Sequence, residues 1–199
     1  MDFEHITIHP KDIYYTINKL LYGRLFRKFK FYRFCDKIDK SVEKIAEALD
    51  LDSIPKIYVW SASSGTTGSY ISGDRHNTET YEYIYTDKFG PRITLNYSKI
   101  RRYKEYMIYL APPGLEWKDW FDVDLFVLTH EMAHHKQNEE GRLLSLLRES
   151  LQLTGSFSSA RAASDKHDDL IDCFHKHSKL PVEIDANIKT WKALELMVL

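Results

Sequence analysis

A chain of 199 residues, 43% hydrophobic and 29% charged, carries enough apolar material for the core of one globular domain. Its 28 basic and 29 acidic side chains nearly cancel, to a formal charge of -1, which gives no global electrostatic reason to expect nucleic acid or an anionic membrane as partner. No apolar run approaches the ~20 residues that span a bilayer, and "MDFEHITIHPKD" has an acidic start with no apolar segment, so neither a membrane span nor a secretory signal is expected. The expected location is cytoplasmic, where Cys35 and Cys173, far apart and in no CxxC pair, stay as reduced thiols.

From the N-terminus, Ile13, Ile17, Leu20, Leu21 and Leu25 recur at helical spacing and predict a helix from Lys11 to about Phe34. Within it "YGRLFRKFKFYRF" mixes Arg24, Arg27, Lys28, Lys30 and Arg33 with aromatics. A helix with one core face and snorkelling basic side chains accounts for that run better than a phosphate-binding surface does. A second helix, Asp36 to Leu51, carries Ile38, Val42, Ile45 and Leu49 on one stripe and ends at "DSIP". Four β-type runs follow: "KIYVWS" (56–61), "GSYISG" (68–73), "TYEYIYTD" (80–87) and "RITLNYS" (92–98), with "SASSGTTG" and "KFGP" as turns. They predict a small mixed or antiparallel sheet of three to four strands.

After the irregular "YLAPPGLEWKDWFD", Asp122 or Asp124 can cap a helix from about Val123 to Gln137 or beyond. "NEEGRLLSLLRESLQL" is a further helix, broken near Gly155, and "GSFSSARAAS" is small and polar, a loop composition. Asp165 to His177 is again helical in pattern, and Pro181 sits where a first helical turn tolerates proline, opening "PVEIDANIKTWKALELMVL". Helices, then strands, then helices predict an α+β fold in one domain over 1–199: N-terminal helices over 1–54, a sheet over 55–110 and C-terminal helices over 120–199.

The helix from Val123 carries "LFVLTHEMAHHKQ" (125–137). His130 and His134, four apart, share one helix face about 5–6 Å apart at Cβ. That separation suits two imidazoles converging on one zinc ion. Glu131 projects about 100° round from His130, beside such an ion and not on it, where a carboxylate can take a proton from a water the metal has acidified. This is the HExxH pattern of zinc hydrolases. Leu125, Phe126, Val127, Leu128, Met132 and Ala133 surround it with apolar residues, as a buried metal-bearing helix requires. Lys136 departs from the longer form of the motif, which has an apolar residue there.

A catalytic zinc takes three protein ligands plus water. "HHKQNEEGRLL" has no glycine and third histidine at metzincin spacing, so that route is rejected. Glu183 on the C-terminal helix is favoured, with Asn187 on the same face to orient a zinc histidine and Ala186 to allow close helix packing. Asp185 points about 200° away from Glu183 and is the weaker choice. The dense "SDKHDDLIDCFHKH" offers the other route, through His167, Asp168, Asp172, His175 or His177, one of which could alternatively steady an oxyanion.

"THEMAHHKQ" followed by "EIDAN" resembles the gluzincin metallopeptidases, most of all the minigluzincins and the ImmA/IrrE-type peptidases. The resemblance covers Val127–Gln137 and Pro181–Thr190 plus the order of strands before the active helix. It implies a zincin-like fold, one zinc at His130, His134 and Glu183, Glu131 as general base, and peptide-bond hydrolysis on a peptide or protein substrate. It also implies an edge strand beside the cleft, to which substrate adds as an extra strand; "RITLNYS" is the candidate. The longer distance from His134 to Glu183 implies an insertion, Glu139 to Lys179. The alternative is a degenerate zincin, a regulatory or protein-binding module with structural zinc. The intact Glu131 argues against it.

Overall fold

The computed structural model describes residues 3–8, 25–61, 66–72, 74–76, 83–86, 90–104, 122–154 and 176–198. In chain order these form β1 (Ile6–Ile8), α1 (Leu25–Ala48), β2 (Lys56–Trp60), β3 (Gly68–Ile71), β4 (Asp74–His76), β5 (Tyr83–Thr86), β6 (Arg92–Asn96), α2 (Tyr97–Arg102), α3 (Val123–Glu139), α4 (Leu143–Thr154) and α5 (Pro181–Val198). The fold is α+β, with a small mixed sheet of four strands ordered β1-β2-β6-β3. β1 and β6 flank β2 in parallel, and β3 closes the other side antiparallel to β6.

The described part of the first expected helix, from Leu25, is continuous with the second. Phe31, Phe34, Cys35, Ile38, Val42, Ile45 and Leu49 are all buried at three- and four-residue spacing. A single apolar stripe therefore runs through the predicted break at Cys35, where no glycine or proline interrupts the helix. Its end is a Schellman turn, with Leu51 N on Ala46 O at 3.0 Å, Asp50 N on Glu47 O at 3.0 Å, and Asp50 in the left-handed region at φ 53°. Lys136 reaches over to the Asp50 carbonyl, so the cation at this motif position braces the end of a neighbouring helix.

The sheet has the expected number of strands but a different membership. β1 comes from a stretch with no predicted strand; it is short, and Asp39 of α1 ties it down by accepting from the backbone N–H of Glu4, His5 and Ile6. The 80–87 run contributes β5, which pairs with β4 in a separate two-stranded sheet. The "RITLNYS" run ends its strand at Asn96 and turns at once into α2. It is also not an edge: β6 lies between β2 and β3, so the strand beside α3 is β3. Burial agrees with the order of strands: Ile93 and Leu95 of β6 are fully buried, whereas β3 has no buried residue.

Ile57, Val59, Ile93 and Leu95 of the sheet, Phe34, Ile38, Val42 and Ile45 of α1, and Phe126, Leu128, Met132 and Ala133 of α3 share one buried cluster, which α5 joins through Ala186, Trp191 and Leu194. Asp122 caps α3, its Oδ1 accepting from Asp124 N at 2.9 Å and Leu125 N at 3.4 Å. Asp124, 2% exposed, is held between Lys37 of α1 and Arg101 of α2, which fixes the start of α3 against both. Gly141, at φ 67°, ends α3 in a second Schellman turn, with Arg142 N on Gln137 O at 2.8 Å. Among the described residues no helix is long and apolar enough to cross a membrane. Residues 11–24 of the first expected helix, the linker before Asp122, the loop "GSFSSARAAS", residues 165–175 of the helical pattern expected over 165–177, and Cys173 lie outside the described residues. Cys35 is a buried thiol.

Candidate metal centre

α3 enters the core with both its flanks apolar, so the polar residues on it are buried with it: His130, Glu131 and His134 are 7 or 8% exposed. One helical turn apart, the two imidazoles meet edge-on, centroids 4.7 Å apart, with the Nε2 atoms separated by 3.2 Å. Phe126, a turn earlier, stacks on the His130 ring at 6.1 Å and also touches Trp191 of α5 at 5.7 Å. Packing thus sets the plane of His130.

α5 brings the third donor. Pro181 is its first residue, and Glu183 lies in the first turn, where the partial positive charge of the helix N-terminus favours a carboxylate. Ala186, fully buried, lets α5 come close to α3. Glu183 Oε2 lies 3.0 Å from His130 Nε2 and 3.7 Å from His134 Nε2. The buried group His130, His134 and Glu183 could hold a metal ion. Asp185 turns away, as its helical angle requires, to accept from Gln137 and pair with Arg142.

The charge balance of this pocket favours a cation. Burial pushes His134 down, but the Glu183 carboxylate, its hydrogen bond and Glu131 outweigh that and push it up to about 9. Burial pushes Glu183 up, yet His134, His177 and His130 together hold it well below the usual carboxylate range. For Glu131 burial wins over the pull of His130 and His134, so its carboxyl is pushed up, which makes it a stronger base.

Around the three donors the structure differs from the expected supports. Asn187 is buried on the Glu183 face, but its Oδ1 and the far nitrogen of His130, Nδ1, are both without a hydrogen-bond partner among the described residues, so the expected bond is not made. The amide that orients a histidine is Gln137, three residues beyond His134 on α3 itself. Gln137 donates through Nε2 to Val182 O at 2.8 Å and Asp185 Oδ2 at 3.0 Å, which leaves its Oε1 facing His134 Nδ1 at 2.9 Å. Since that oxygen can only accept, it keeps a proton on His134 Nδ1, and Nε2, turned toward His130 and Glu183, is the nitrogen that gives up its proton when the ring becomes neutral. The sequence signal for Gln137 is its place one turn past His134 inside an apolar helix, where a glutamine without a buried partner would be costly.

Of the histidine-rich stretch, His177 is the described member, and its Nε2 is 3.2 Å from Glu183 Oε2. Burial pushes this imidazole down and Glu183 more than restores it, so it is raised above its ordinary value. It is 37% exposed and faces Glu183 from the wet side. His167, Asp168, Asp172 and His175 lie outside the described residues. The chain matches no protein-family model, no curated protein and no solved structure.

Proposed function

We propose that this protein is a zinc-dependent metallopeptidase of the gluzincin kind, with zinc held by His130, His134 and Glu183 and with Glu131 as general base. The observation that carries this reading is the convergence of three buried donor atoms 3.0–3.7 Å apart, with a second buried acid, Glu131, one residue along the helix from His130. Two nitrogens each ~2.0–2.1 Å from a tetrahedral zinc should lie about 3.3–3.4 Å apart; His130 and His134 Nε2 are 3.2 Å apart. Gln137 Oε1 keeps a proton on His134 Nδ1, so the neutral ring offers its lone pair at Nε2, the atom a metal would take.

Zinc in this position supplies Lewis acidity, polarising a carbonyl and acidifying a water. Glu131 takes the proton from the attacking water and delivers it to the amine nitrogen as the carbon–nitrogen bond breaks. His177 is the candidate donor to the oxyanion that forms on the carbonyl, from the exposed side of Glu183. β3 pairs only with β6 among the described residues, and its outer edge is the candidate partner for an extended peptide; β3 takes this place from β6, the strand expected from sequence. The test is zinc content by elemental analysis together with cleavage of casein and a quenched peptide library by wild type and Glu131→Gln. The expected result is about one zinc per chain in both and cleavage by wild type alone. Equal cleavage by both would refute a Glu131-dependent peptidase and leave the metal as a structural tie.

A further inference from the structure

Next to the metal row of α3 runs a second row at the same helical spacing, Glu131, His135 and Glu139, which the mechanism uses only at its first member. This row faces β3 and the connection from α1 to β2. Glu139 accepts from the backbone N–H of Asp52 at 3.1 Å and of Ser53 at 2.9 Å. His135, 2% exposed, has Nε2 3.1 Å from the Ser53 carbonyl, an acceptor, so that nitrogen carries the proton and Nδ1 must accept. Its donor is the Tyr70 hydroxyl on β3, at 3.0 Å, with the two rings 5.5 Å apart. Tyr70 therefore pegs β3 to α3 at a set height.

Two residues back along β3, on the same face as Tyr70, is Gly68, directly against Glu131. A Cβ at position 68 would lie 2.5 Å from Glu131 Oε1 and 2.9 Å from its Cγ, closer than real Cβ atoms come, and 3.0 Å from its Cδ, tighter than most of their contacts. The described glycines with positive φ are Gly90 and Gly141, so Gly68 does not serve a left-handed turn. It belongs to the paired part of a strand, where glycine weakens pairing, and close approach to another group is what such a glycine marks. The backbone cannot yield easily, because Gly68 is paired with Leu95 and Thr67 O accepts from Asn96 N at 2.8 Å.

We propose that Gly68 is a positioning residue for Glu131: its missing side chain leaves the slot on β3 in which the carboxylate lies, at a height set by the Tyr70–His135 contact. The functional consequence rests on the peptidase reading, but the contact itself does not, and the experiment separates them. Gly68→Ala is made in wild type, in Glu131→Ala and in Glu131→Asp. In thermal melts the alanine should lower Tm when Glu131 is present and have little effect in Glu131→Ala, where the group it meets is gone. In kinetics Gly68→Ala should keep its zinc and a KM within about threefold of wild type while kcat falls about a hundredfold, as for a catalytic group displaced by ~1 Å. Adding Gly68→Ala to the shorter Glu131→Asp should cost no more than about threefold beyond that single change. Equal Tm losses with and without the Glu131 side chain, or a Gly68→Ala enzyme with wild-type kcat, would overturn the inference. A wild type that cleaves nothing would refute the peptidase reading alone, and the Tm comparison would then decide the placement of Glu131.

Discussion

Gln137→Ala is the substitution whose effect the geometry specifies most closely. The glutamine is fully buried and makes three hydrogen bonds, to His134 Nδ1, Val182 O and Asp185 Oδ2. Removing it leaves the His134 N–H without its acceptor, at about 1–3 kcal/mol for a buried unsatisfied group. It also frees the imidazole to change tautomer and to rotate. Outer partners of metal-bound histidines are typically worth about 10–100-fold in affinity, or about 1.4–2.8 kcal/mol. The expected result is zinc affinity weakened by about that factor, read by competition with a chromophoric chelator at fixed neutral pH. Asn187→Ala is the internal control: with no bond between Asn187 Oδ1 and His130 Nδ1, affinity should change by less than about threefold. Gln137→Glu should separate the two effects, since it keeps an acceptor for His134 but places a carboxylate against Asp185. Stability should fall while zinc affinity is retained. Wild-type affinity in Gln137→Ala, or a loss of about tenfold in Asn187→Ala, would refute the assignment of the orienting amide.

Glu183→Ala should abolish stoichiometric zinc, whereas His177→Ala should retain about one per chain, because His177 is not among the donors that converge; the reverse pattern in elemental analysis would move the third ligand into the histidine-rich stretch. The metal-free protein should have a marked pH dependence. His134 is raised from 6.5 to about 9, so its bound proton stabilises the fold fully below pH 6.5 and that contribution is lost as pH rises through about 9. Melts in chelator should fall across that window and melts with zinc should not, since metal displaces the proton; a flat or rising chelated curve contradicts the charge balance described for the site. Asp124→Asn should cost about 1–3 kcal/mol in urea unfolding. The anion is buried, but its partners Lys37 and Arg101 are 35% and 43% exposed and can turn to water. A loss under about 0.5 kcal/mol would show that the pair does not anchor α3.

Features set by neighbours in sequence are legible in the chain, and features set by distant segments are not. The start of α3 at Asp122, the opening of α5 at Pro181 and the shared face of His130 and His134 follow from capping chemistry and helical spacing. β1 is invisible because three residues carry no period, and it exists through Asp39, more than thirty positions away. The expected division at Cys35 comes from reading two separate apolar sets, Ile13 to Leu25 and Ile38 to Leu49; the buried stripe of α1 runs on through Phe31, Phe34 and Cys35 once the sheet and α3 are in place. Strand order escapes a local reading for a similar reason. Being last before α3 says nothing of position in a sheet, and β6 is interior because two long-range pairings place it there.

The sequence by itself determined that two imidazoles and a carboxylate ride on a helix too apolar to leave them in water, because residue spacing on a helix is independent of all else in the chain. Tertiary structure decided what completes the group. Glu183 meets His130 and His134 only because Ala186 lets α5 lie against α3, and Gln137 orients His134 only because α5 offers the Val182 carbonyl and Asp185 to its amide nitrogen. Gly68 meets Glu131 only because β3, and not β6, is the strand against α3. Local geometry is dictated by covalent structure and backbone hydrogen bonds over four or five residues. Contacts between segments dozens of residues apart depend on which packing buries the whole apolar surface at once, and no short stretch encodes that choice.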